Sequence, residues 1–316
     1  MLAVVVTDGA LSLSQRPTPE PRENDVVVAV RSAGLNAADL LQRQGFYPAP
    51  AGWPADIPGL EMAGVVSAVG DGVDVPLLGR RVCSIVGGGA QASHCLVPAE
   101  HLLFVPDHVT WDEAGGFAEA FTTAYDALVT QGRLIAGERI LISGASGGVG
   151  VAAVQIAHAL GAHVTAVTRT SEHHAKLREL GADETITIDE VAEIDRVDVV
   201  LELVGAAHLS LAQRILAPFA RVVVIGVGGG GSRVEIDLRT IMSQRATLTG
   251  STLRSRSRAE KTEVMVRVTE LLGPWWITGA LRMPIARSFD VTDVEEAYAY
   301  FAQPGKFGKV VVRFEG

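Results

Sequence analysis

The stretch ILISGASGGVG, residues 140–150, constrains the fold of this chain more than any other. It is typical of a β-strand that runs into a glycine-rich turn and then a helix. From residue 138 onwards, strand-like and helix-like patterns alternate, ending with RVVVIGV and ATLTGSTL. Such alternation predicts parallel strands joined by right-handed helical crossovers, which is a doubly wound α/β sheet.

Residues 140–168 contain no Asp, Glu, Lys or Arg, and on length alone such a run would suit a membrane span of about 20 residues. Several glycines divide it into segments typical of a strand, a turn, a helix and a second strand. We therefore interpret it as a buried βαβ unit and expect no membrane partner. The N-terminal sequence MLAVVVTDGALS lacks a basic region and a long apolar core, so we expect no signal peptide and a cytoplasmic protein.

A different pattern flanks the α/β region on both sides. Residues 1–115 carry short β-type runs such as LAVVVTD and DVVVAVRSAGL, separated by Gly, Pro and Asp, which is typical of a small barrel or sandwich. The tail after residue 272 returns to β-type runs, and 316 residues leave room for two domains. We predict a β-rich domain formed by residues 1–117 and 273–316, with an α/β nucleotide-binding domain, residues 118–272, inserted in it.

Composition excludes several classes of function. The formal net charge is −9, whereas sequence-independent binding to a phosphate backbone requires a strongly basic surface, so we expect no nucleic-acid partner. Cys83 and Cys95 are the two cysteines, too few for a disulfide framework or a four-cysteine zinc site. With 48% hydrophobic and 20% charged residues, the chain is expected to fold by itself.

The glycine turn follows the pattern of a dinucleotide-binding turn, with one substitution. In Ala145-x-Gly147-x-x-Gly150 the middle glycine lets the backbone approach a pyrophosphate, and the last lets helix and strand pack closely. Alanine can serve at the first position if its φ angle stays negative. The phosphates would be bound by free N–H groups at the start of the helix near Gly148, assisted by the helix dipole. A glycine turn without a ligand is the alternative interpretation.

The end of the second strand indicates which nucleotide is bound. About 20 residues past the turn, an NAD enzyme carries an acid that contacts the ribose 2′-hydroxyl, whereas an NADP enzyme has an arginine nearby. This chain has Arg169 there, followed by Thr170, and a guanidinium group with hydroxyl groups suits a 2′-phosphate. We therefore predict NADPH as the cofactor. A solvated surface arginine is the alternative interpretation of Arg169.

Several motifs carry a resemblance to a known family. They are SAGLNAADLLQRQGFYPAP, PGLEMAGVVSAVG, EAFTTAYDAL, SGASGGVGVAAVQIAHALGA, GSTLRSR and GKFGKVVV. In these motifs, which span residues 32–312, the chain resembles the medium-chain dehydrogenase/reductases, in particular the zinc-free quinone oxidoreductases. The resemblance implies a Rossmann doubly wound parallel sheet inserted in a GroES-like β-barrel domain, an NADPH-dependent reductase, and a homodimer built through the nucleotide-binding domains.

The resemblance also bears on metal binding. Where zinc-dependent relatives supply ligands, this chain holds Asn36, Leu60 and Glu119, with Glu61 kept beside them. Leucine cannot ligate, and zinc prefers nitrogen or sulfur donors in a near-tetrahedral set, so we expect no catalytic metal. Without a Lewis acid the hydride acceptor must already be electrophilic. Quinones and alkenes conjugated to a carbonyl meet that condition.

Three residues are predicted to act at the reaction centre. The resemblance places Tyr47 at the mouth of an interdomain cleft, where it could bind a substrate oxygen, stack on a quinone or supply the proton. Asn36 could donate to a developing oxyanion, and Thr123 corresponds to a family threonine beside the nicotinamide. The alternatives are a loop tyrosine that covers an apolar edge and a loop-capping asparagine.

The remaining cofactor predictions rest on position in the sequence. Gly205 and the pair Gly226 and Val227 follow strand-like runs, at the strand ends where open α/β sheets bind ligands; ordinary turn glycines are the alternative. Arg254, in the LRSR segment, would reach the cofactor or the cleft by the resemblance. The full set predicted to bind NADPH is Ala145, Ser146, Gly147, Gly148, Val149, Gly150, Thr168, Arg169, Thr170, Gly205, Gly226, Val227 and Arg254.

Two competing functions stay open. An enoyl or 2-alkenal reductase would share the fold and the hydride donor. A protein that holds NADPH without turnover, or that binds RNA, is the alternative from another class, and the acidic composition counts against it. The expected partner is therefore a small-molecule quinone or enone.

Overall fold

The computed structural model describes residues 1–229 and 231–315. The chain forms two compact units, of which the first consists of Met1–Thr122 and Leu253–Gly316 and the second of Thr123–Thr252. Gly316, the last residue of the predicted β-rich domain, lies outside the described residues. The boundaries predicted at 117/118 and 272/273 stay a prediction about the extent of the nucleotide-binding fold.

The described residues form both β-strands and α-helices. The strands are β1 (Leu2–Thr7), β2 (Ala10–Gln15), β3 (Asp25–Gly34), β4 (Glu61–Val69), β5 (Arg81–Ile85), β6 (His94–Pro98), β7 (Leu103–Phe104), β8 (Arg139–Ser143), β9 (His163–Thr168), β10 (Glu184–Thr187), β11 (Val197–Glu202), β12 (Leu216–Val224), β13 (Thr247–Gly250), β14 (Ile285–Asp290) and β15 (Lys309–Arg313). The α-helices are α1 (Ala37–Arg43), α2 (Trp111–Gly115), α3 (Ala118–Tyr125), α4 (Gly148–Ala159), α5 (His174–Glu179), α6 (Ala206–Ala212), α7 (Leu238–Gln244), α8 (Arg258–Ile277) and α9 (Val294–Ala302).

The first unit is built around one large sheet. Its strands are hydrogen-bonded in the order β14-β15-β3-β4-β5-β7, and β6 also pairs with β3. β14 and β15 run parallel, whereas β3 is antiparallel to each of its neighbours. β3 is buried along almost its whole length, which explains why DVVVAVRSAG is a nearly continuous apolar run rather than an alternating one. The β-rich fold expected for this part of the chain is confirmed.

The last strand completes this sheet from the far end of the sequence. β15 pairs antiparallel with β3, with Val311 opposite Gly34 and Val312 opposite Ala33. The N–H group of Leu35 donates to the carbonyl oxygen of Val310 at 2.9 Å. The first residue of β15 therefore lies beside the end of β3, where the chain enters α1.

The second unit contains a parallel sheet with the order β10-β9-β8-β11-β12-β13. Each neighbouring pair in it runs parallel. Counted within the unit, this order is 3-2-1-4-5-6, the order of a Rossmann fold, and it reverses direction between β8 and β11. The predicted doubly wound sheet is confirmed, and ligands of such sheets bind at the carboxyl ends of the strands on either side of the reversal.

The uncharged run 140–168 forms β8, α4 and β9, as the βαβ interpretation predicts. The isoleucine and leucine residues of β8 are buried because the strand has neighbours at both edges and α4 packed near it. Among the described residues, no helix is both long and apolar enough to cross a bilayer.

Candidate active site

A buried ion pair forms the centre of a polar cluster in the first unit. Nζ of Lys309 lies 2.6 Å from Oε1 of Glu61, and the two side chains are 4% and 0% exposed. Lys309 begins β15 and Glu61 begins β4. Both strands are in the same sheet on opposite sides of β3, so the fold brings together two charges from distant parts of the sequence.

Further hydrogen bonds compensate both charges. The ammonium group also donates to the carbonyl oxygen of Leu35 and to Oδ1 of Asn36, each at 2.7 Å. Oε1 of Glu61 accepts from Nδ2 of Asn36 at 3.0 Å, and Oε2 accepts from the N–H group of Glu119 at 2.9 Å. Glycine is required at position 34, because a Cβ atom there would lie 2.4 Å from Oε1 of Glu61. A buried ion pair is tolerated when its remaining donors and acceptors are used in this way.

Asn36 is fixed by this cluster at the start of α1, where it is the N-cap residue with extended backbone. Its Nδ2 also approaches the carbonyl oxygen of Gly34 at 3.3 Å. Both N–H donors and the oxygen of the amide thus have partners within the protein. Donation to an oxyanion, as predicted for Asn36, would require the amide to exchange one of these partners.

Asp39 adds a second buried carboxylate to the cluster. It accepts from the N–H groups of Asn36 at 2.8 Å and Gly59 at 3.0 Å. Burial raises the pKa of Asp39 to about 6, although these hydrogen bonds and the charges of Lys309 and Arg254 act in the opposite direction.

Glu119 lies near the start of α3, beside Glu61, and is partly buried. Its side-chain oxygens make no hydrogen bond within the part of the chain that the structure describes. Burial and the negative charge of Glu61 raise the pKa of Glu119 to about 8, while Lys309 and Lys261 partly offset this rise. A carboxyl group with this pKa is mostly protonated at neutral pH.

Arg254 holds the loop that contains Tyr47. Its buried guanidinium group donates to the carbonyl oxygens of Gly87 at 2.9 Å and Tyr47 at 2.8 Å, and to Oε1 of Gln42 at 2.5 Å. The guanidinium carbon lies 4.9 Å from the centre of the Tyr47 ring. Each nitrogen of the guanidinium group therefore has an acceptor in the first unit. The predicted contact of Arg254 with a cofactor stays a prediction.

Thr123 lies on α3 one turn after Glu119 and is partly buried. The helix then continues as a π-helical turn, Asp126–Gln131. Such turns insert an extra residue into a helix and are frequent at functional sites. The carboxylate of Asp126 accepts from the hydroxyl group of Ser251 at 2.6 Å, which ties this turn to the segment after β13.

In the second unit, the glycine turn after β8 meets the condition stated for its alanine. Gly144 has a φ angle of +65°, and Ala145 is not among the residues with positive φ. The N–H group of Ala145 donates to the carbonyl oxygen of Val167 at 3.0 Å, and the side chain is fully buried. The left-handed position of the turn is thus filled by the glycine before Ala145.

The next glycines differ in the space around them. A Cβ atom on Gly150 would lie 2.5 Å from the carbonyl oxygen of Gly144, whereas one on Gly147 would meet only that oxygen, at 3.6 Å. Gly147 is the N-cap of α4 and offers no side chain to the first turn, whose N–H groups have no intrahelical acceptor. Ser146, Gly148 and Val149 are partly exposed there. The open space and free N–H groups fit the phosphates of a dinucleotide.

The residues after β9 form a short exposed turn. The hydroxyl group of Thr168 donates to the carbonyl oxygen of Thr170 at 2.8 Å. Arg169 and Thr170 are exposed, and among the described residues the side chain of Arg169 makes no hydrogen bond or ion pair. Its guanidinium group is therefore available to a ligand.

The ends of β11 and β12 come together around a buried carboxylate. Glu202 is fully buried, and its Oε1 accepts from the Ser143 hydroxyl at 2.8 Å and from the N–H groups of Val204 and Gly205 at 2.7 Å each. A Cβ atom on Gly205, whose φ angle is +126°, would lie 3.1 Å from Cα of Val227. Oε2 of Glu202 has no partner within the described residues.

The structure thus gathers the predicted residues into two separate groups. One group occupies the carboxyl ends of neighbouring strands in the second unit: the turn 145–150, residues 168–170, Gly205, and the pair Gly226 and Val227. The other group, Asn36, Tyr47 and Arg254, belongs to the first unit, and Thr123 begins the second.

Sequence reasoning did not single out Lys309, Asp39 or Glu202 as parts of a site. The signal was present for two of them, because a charged residue inside or next to a strand pattern such as VLELVG or GKVVV is unusual. This signal does not reveal the residue with which the charge is paired. The partner of Lys309, Glu61, lies far away in the sequence.

Two family profiles match this sequence. The profile described as alcohol dehydrogenase GroES-like domain matches residues 22–131. The profile described as zinc-binding dehydrogenase matches residues 148–270.

Relatives and solved structures cover nearly the whole chain. The quinone oxidoreductase of Lama guanicoe is 31% identical over 307 residues, which are 93% of this chain and 90% of the relative. The quinone oxidoreductase of Thermus thermophilus, solved also in complex with NADPH, has a TM-score of 0.85 and 33% identity over 99% of this chain and 100% of its own. The CurK enoyl reductase has a TM-score of 0.85 and 26% identity over 99% of both chains.

The name of the second profile raises the question of zinc, and the residues present do not fit that ion. Leu60 offers no donor atom. Oδ1 of Asn36 and Oε1 of Glu61 already accept from the ammonium group of Lys309, which supplies a positive charge at this place. Among residues 1–229 and 231–315, no three His, Cys, Asp or Glu side chains are placed to hold a metal ion.

We expect Glu119 to lose its proton near pH 8. Between the ordinary glutamate pKa and this value, the folded protein keeps a proton that the unfolded chain has released, so this residue makes folding stability fall as the pH rises from about 5 to 8. Infrared spectra recorded across this range should show a protonated carboxyl band that disappears near pH 8.

Glu119→Gln should remove this band and flatten the corresponding fall in stability. Glu263→Gln, which changes an exposed glutamate on α8, is the matched control and should leave both unchanged. A band that titrates near pH 8 and persists in Glu119→Gln would contradict the assignment, whereas a band that titrates near pH 6 is expected from Asp39 in both proteins.

Proposed function

The chain belongs to the medium-chain dehydrogenase/reductase superfamily, and from this premise we propose that it is an NADPH-dependent reductase acting without a metal on quinones or other activated conjugated carbonyl compounds. The observation that carries the proposal is the Lys309 ammonium group, which is bound to Asn36 and Glu61 where the family's metal-dependent members bind zinc. An internal cation already neutralised by Glu61 polarises a substrate less than zinc does. The acceptor must therefore be electrophilic by itself.

Residues of the second unit bind and orient the nucleotide in this proposal. The N–H groups at the start of α4 face the phosphates. Arg169 and Thr170 bind the 2′-phosphate, and the ligand lies against the strand ends at Gly205, Gly226 and Val227. When bound, the reduced nicotinamide supplies a hydride ion.

Residues of the first unit handle the oxygen and the proton. Each hydride added to a quinone or enone requires one proton to give a neutral product. The Tyr47 hydroxyl group is the proposed source, and the Glu119 carboxyl group is a second acid that holds a proton at neutral pH. Asn36 is proposed to donate a hydrogen bond to the oxygen of the reacting carbonyl group. Thr123 is proposed to contact the nicotinamide.

A second candidate, an enoyl thioester reductase, is favoured by the similarity to the CurK enoyl reductase over 99% of both chains. It uses the same hydride donor and also requires a proton at carbon or oxygen. The two candidates differ in the acceptor alone, so an acceptor assay separates them.

We expect the purified protein to oxidise NADPH with 1,2-naphthoquinone and with benzoquinone, because these acceptors spread the added charge onto oxygen without help from a metal. The decrease in NADPH absorbance measures the rate. Treatment with a zinc chelator should leave the rate unchanged, and metal analysis should find no stoichiometric zinc.

Turnover of a 2-enoyl thioester alone would replace the quinone assignment with the enoyl one. Tight NADPH binding without oxidation by any acceptor, together with binding to single-stranded RNA, would contradict both. Loss of activity on chelation would contradict metal independence.

The preference for NADPH should depend on Arg169. A charge-assisted hydrogen bond contributes about 1.5–3 kcal/mol, so Arg169→Ala should raise the KM for NADPH roughly tenfold or more while leaving the KM for NADH nearly unchanged. Arg178→Ala, an exposed arginine on α5, is the control. An equal KM for NADPH in both variants would show that Arg169 is a surface residue without this role.

The exposed surface of the second unit supports the homodimer implied by the resemblance. β13 is an edge strand of the parallel sheet, and the large apolar residues Leu238, Met242 and Leu248 on α7 and β13 are exposed. An edge strand flanked by apolar side chains is an aggregation hazard unless another chain covers it. Twofold pairing of two copies would bury the same surface on each.

We expect sedimentation analysis to give twice the chain mass of 33.3 kDa. Leu248→Lys should shift the protein towards the monomer, because it places a charge in the pairing surface. Val266→Lys changes an equally exposed residue on α8, with 46% exposure against 45% for Leu248, and should leave the dimer intact. A monomeric unaltered protein would contradict the proposal.

A further inference from the structure

The first unit contains a cavity of about 740 Å³ that is separate from the polar cluster around Lys309. Its wall includes the loop Pro50–Pro54, parts of β6, and the segment from Arg254 to Lys261 at the start of α8. Asn36, Tyr47 and Glu119 are not among its lining residues. Its volume lies in the range of sites that bind small organic molecules.

The wall of this cavity is cationic although the protein as a whole is acidic. Arg22, Arg254, Arg256 and Lys261 line it, together with Arg258, while Asp25 is the only acid among the described lining residues. Asp25 is already paired with Arg258, at 2.8 Å. In a chain of net charge −9, this concentration of positive charge favours an anionic occupant.

Lys261 is the most informative residue of the wall. It is 4% exposed, and its ammonium group makes one hydrogen bond, to the carbonyl oxygen of Arg254 at 2.9 Å. An ammonium group has three donors, and the acid that acts on it, Glu119, is beyond ion-pair distance and mostly protonated at neutral pH. A buried charge without a counter-ion is costly, and a bound anion would remove that cost.

His101 is a second buried side chain of this wall with an unsatisfied nitrogen. It is 1% exposed, and its Nε2 contacts the carbonyl oxygen of Arg258 at 3.3 Å and the hydroxyl oxygen of Thr262 at 3.2 Å. Because Nε2 faces a carbonyl oxygen, it carries the ring proton, so Nδ1 is a hydrogen-bond acceptor, and it has no partner within the described residues. Two buried polar side chains of one cavity thus keep unused hydrogen-bonding capacity, where most buried polar groups in proteins are satisfied.

The remaining wall is apolar and includes Trp53, Pro54, Ile57 and Pro98. The Lys261 ammonium group lies 5.8 Å from the centre of the Trp53 ring. A flat apolar surface next to a buried cation suits a ligand that has an apolar group and a negative charge. We propose that this cavity binds a small organic anion, in which an apolar or aromatic group carries a phosphate or carboxylate.

The anion has two chemical sources, and the cavity fits both. It is either the phosphate-bearing tail of a reducible thioester or a separate small molecule. Arg254 contributes to the cavity wall and also donates to the carbonyl oxygen of Tyr47, so the cavity borders the loop proposed to contact substrate. The binding proposal itself does not depend on the proposed reductase activity.

Phenyl phosphate is a suitable probe, and phenol is its uncharged counterpart. Chemical shifts of the ¹⁵N-labelled Trp53 indole, one of four tryptophan side chains, report binding at this cavity and not at the nucleotide turn. Phenyl phosphate should shift this signal with saturation, and phenol should bind at least about tenfold more weakly, which corresponds to ~1.4 kcal/mol.

Lys261→Met should weaken phenyl phosphate binding by about tenfold or more. Arg22→Glu, at an exposed lining residue whose replacement leaves the core intact, should weaken it as well, and Lys176→Met in the second unit should not. Equal affinity for phenol and phenyl phosphate, or unchanged affinity in both Lys261→Met and Arg22→Glu, would overturn the proposal.

A kinetic comparison identifies the source of the anion. If the substrate tail occupies the cavity, a 2-enoyl phosphopantetheine thioester has a lower KM than its N-acetylcysteamine analogue, and Lys261→Met removes the difference. If a separate molecule occupies it, both thioesters have equal KM values while phenyl phosphate still binds. Each of these results supports the proposal that the cavity binds an anion. Failure of both thioesters to react would contradict the proposed enoyl reductase activity and not the binding proposal.

Discussion

The buried pair of Lys309 and Glu61 is the interaction on which the rest of the first unit depends. Removing one partner of such a pair leaves an uncompensated buried charge, which typically costs about 3–5 kcal/mol. The pair also joins elements that are remote in sequence: β15 supplies the ammonium group, β4 the carboxylate, and the start of α1 and α3 the remaining hydrogen-bond partners. The same contacts that stabilise the sheet therefore also set the positions of Asn36 and Glu119.

The second unit leaves N–H groups unpaired at the start of α4, whereas the first unit pairs the polar groups of the cluster around Lys309. Oε1 of Glu202 satisfies the N–H groups that follow β11, whereas the first turn of α4 has neither a capping side chain nor a filled space at Gly147. The N–H groups after β11 are thus satisfied, whereas those at the start of α4 stay free to bind an anion. Both lie at the point where the strand order reverses. This is the physical basis for the proposed position of the nucleotide.

The fold was predictable because its signals are local. Alternating strand and helix patterns around ILISGASGGVG were sufficient to predict the parallel sheet, and the negative φ angle required of Ala145 is met because Gly144 takes the left-handed position. The centre of the site was not predictable in the same way. Lys309 pairs with Glu61 across most of the chain length, and no spacing in GKFGKVVV indicates that partner. The contact of Arg254 with the cofactor or the cleft, which the resemblance implies, stays a prediction, and three of its donors bind oxygens of the first unit.

The charge balance of the polar cluster connects these observations to the choice of substrate. Lys309 and Glu61 neutralise each other, and Glu119 next to them is held mostly protonated by burial and by that carboxylate. The cluster therefore holds a transferable proton, but it has little net positive charge with which to polarise a carbonyl group. Simple ketones need that polarisation before they accept hydride, whereas quinones and conjugated enones delocalise the charge themselves. The proposed preference for acceptors of the second kind follows from this charge balance.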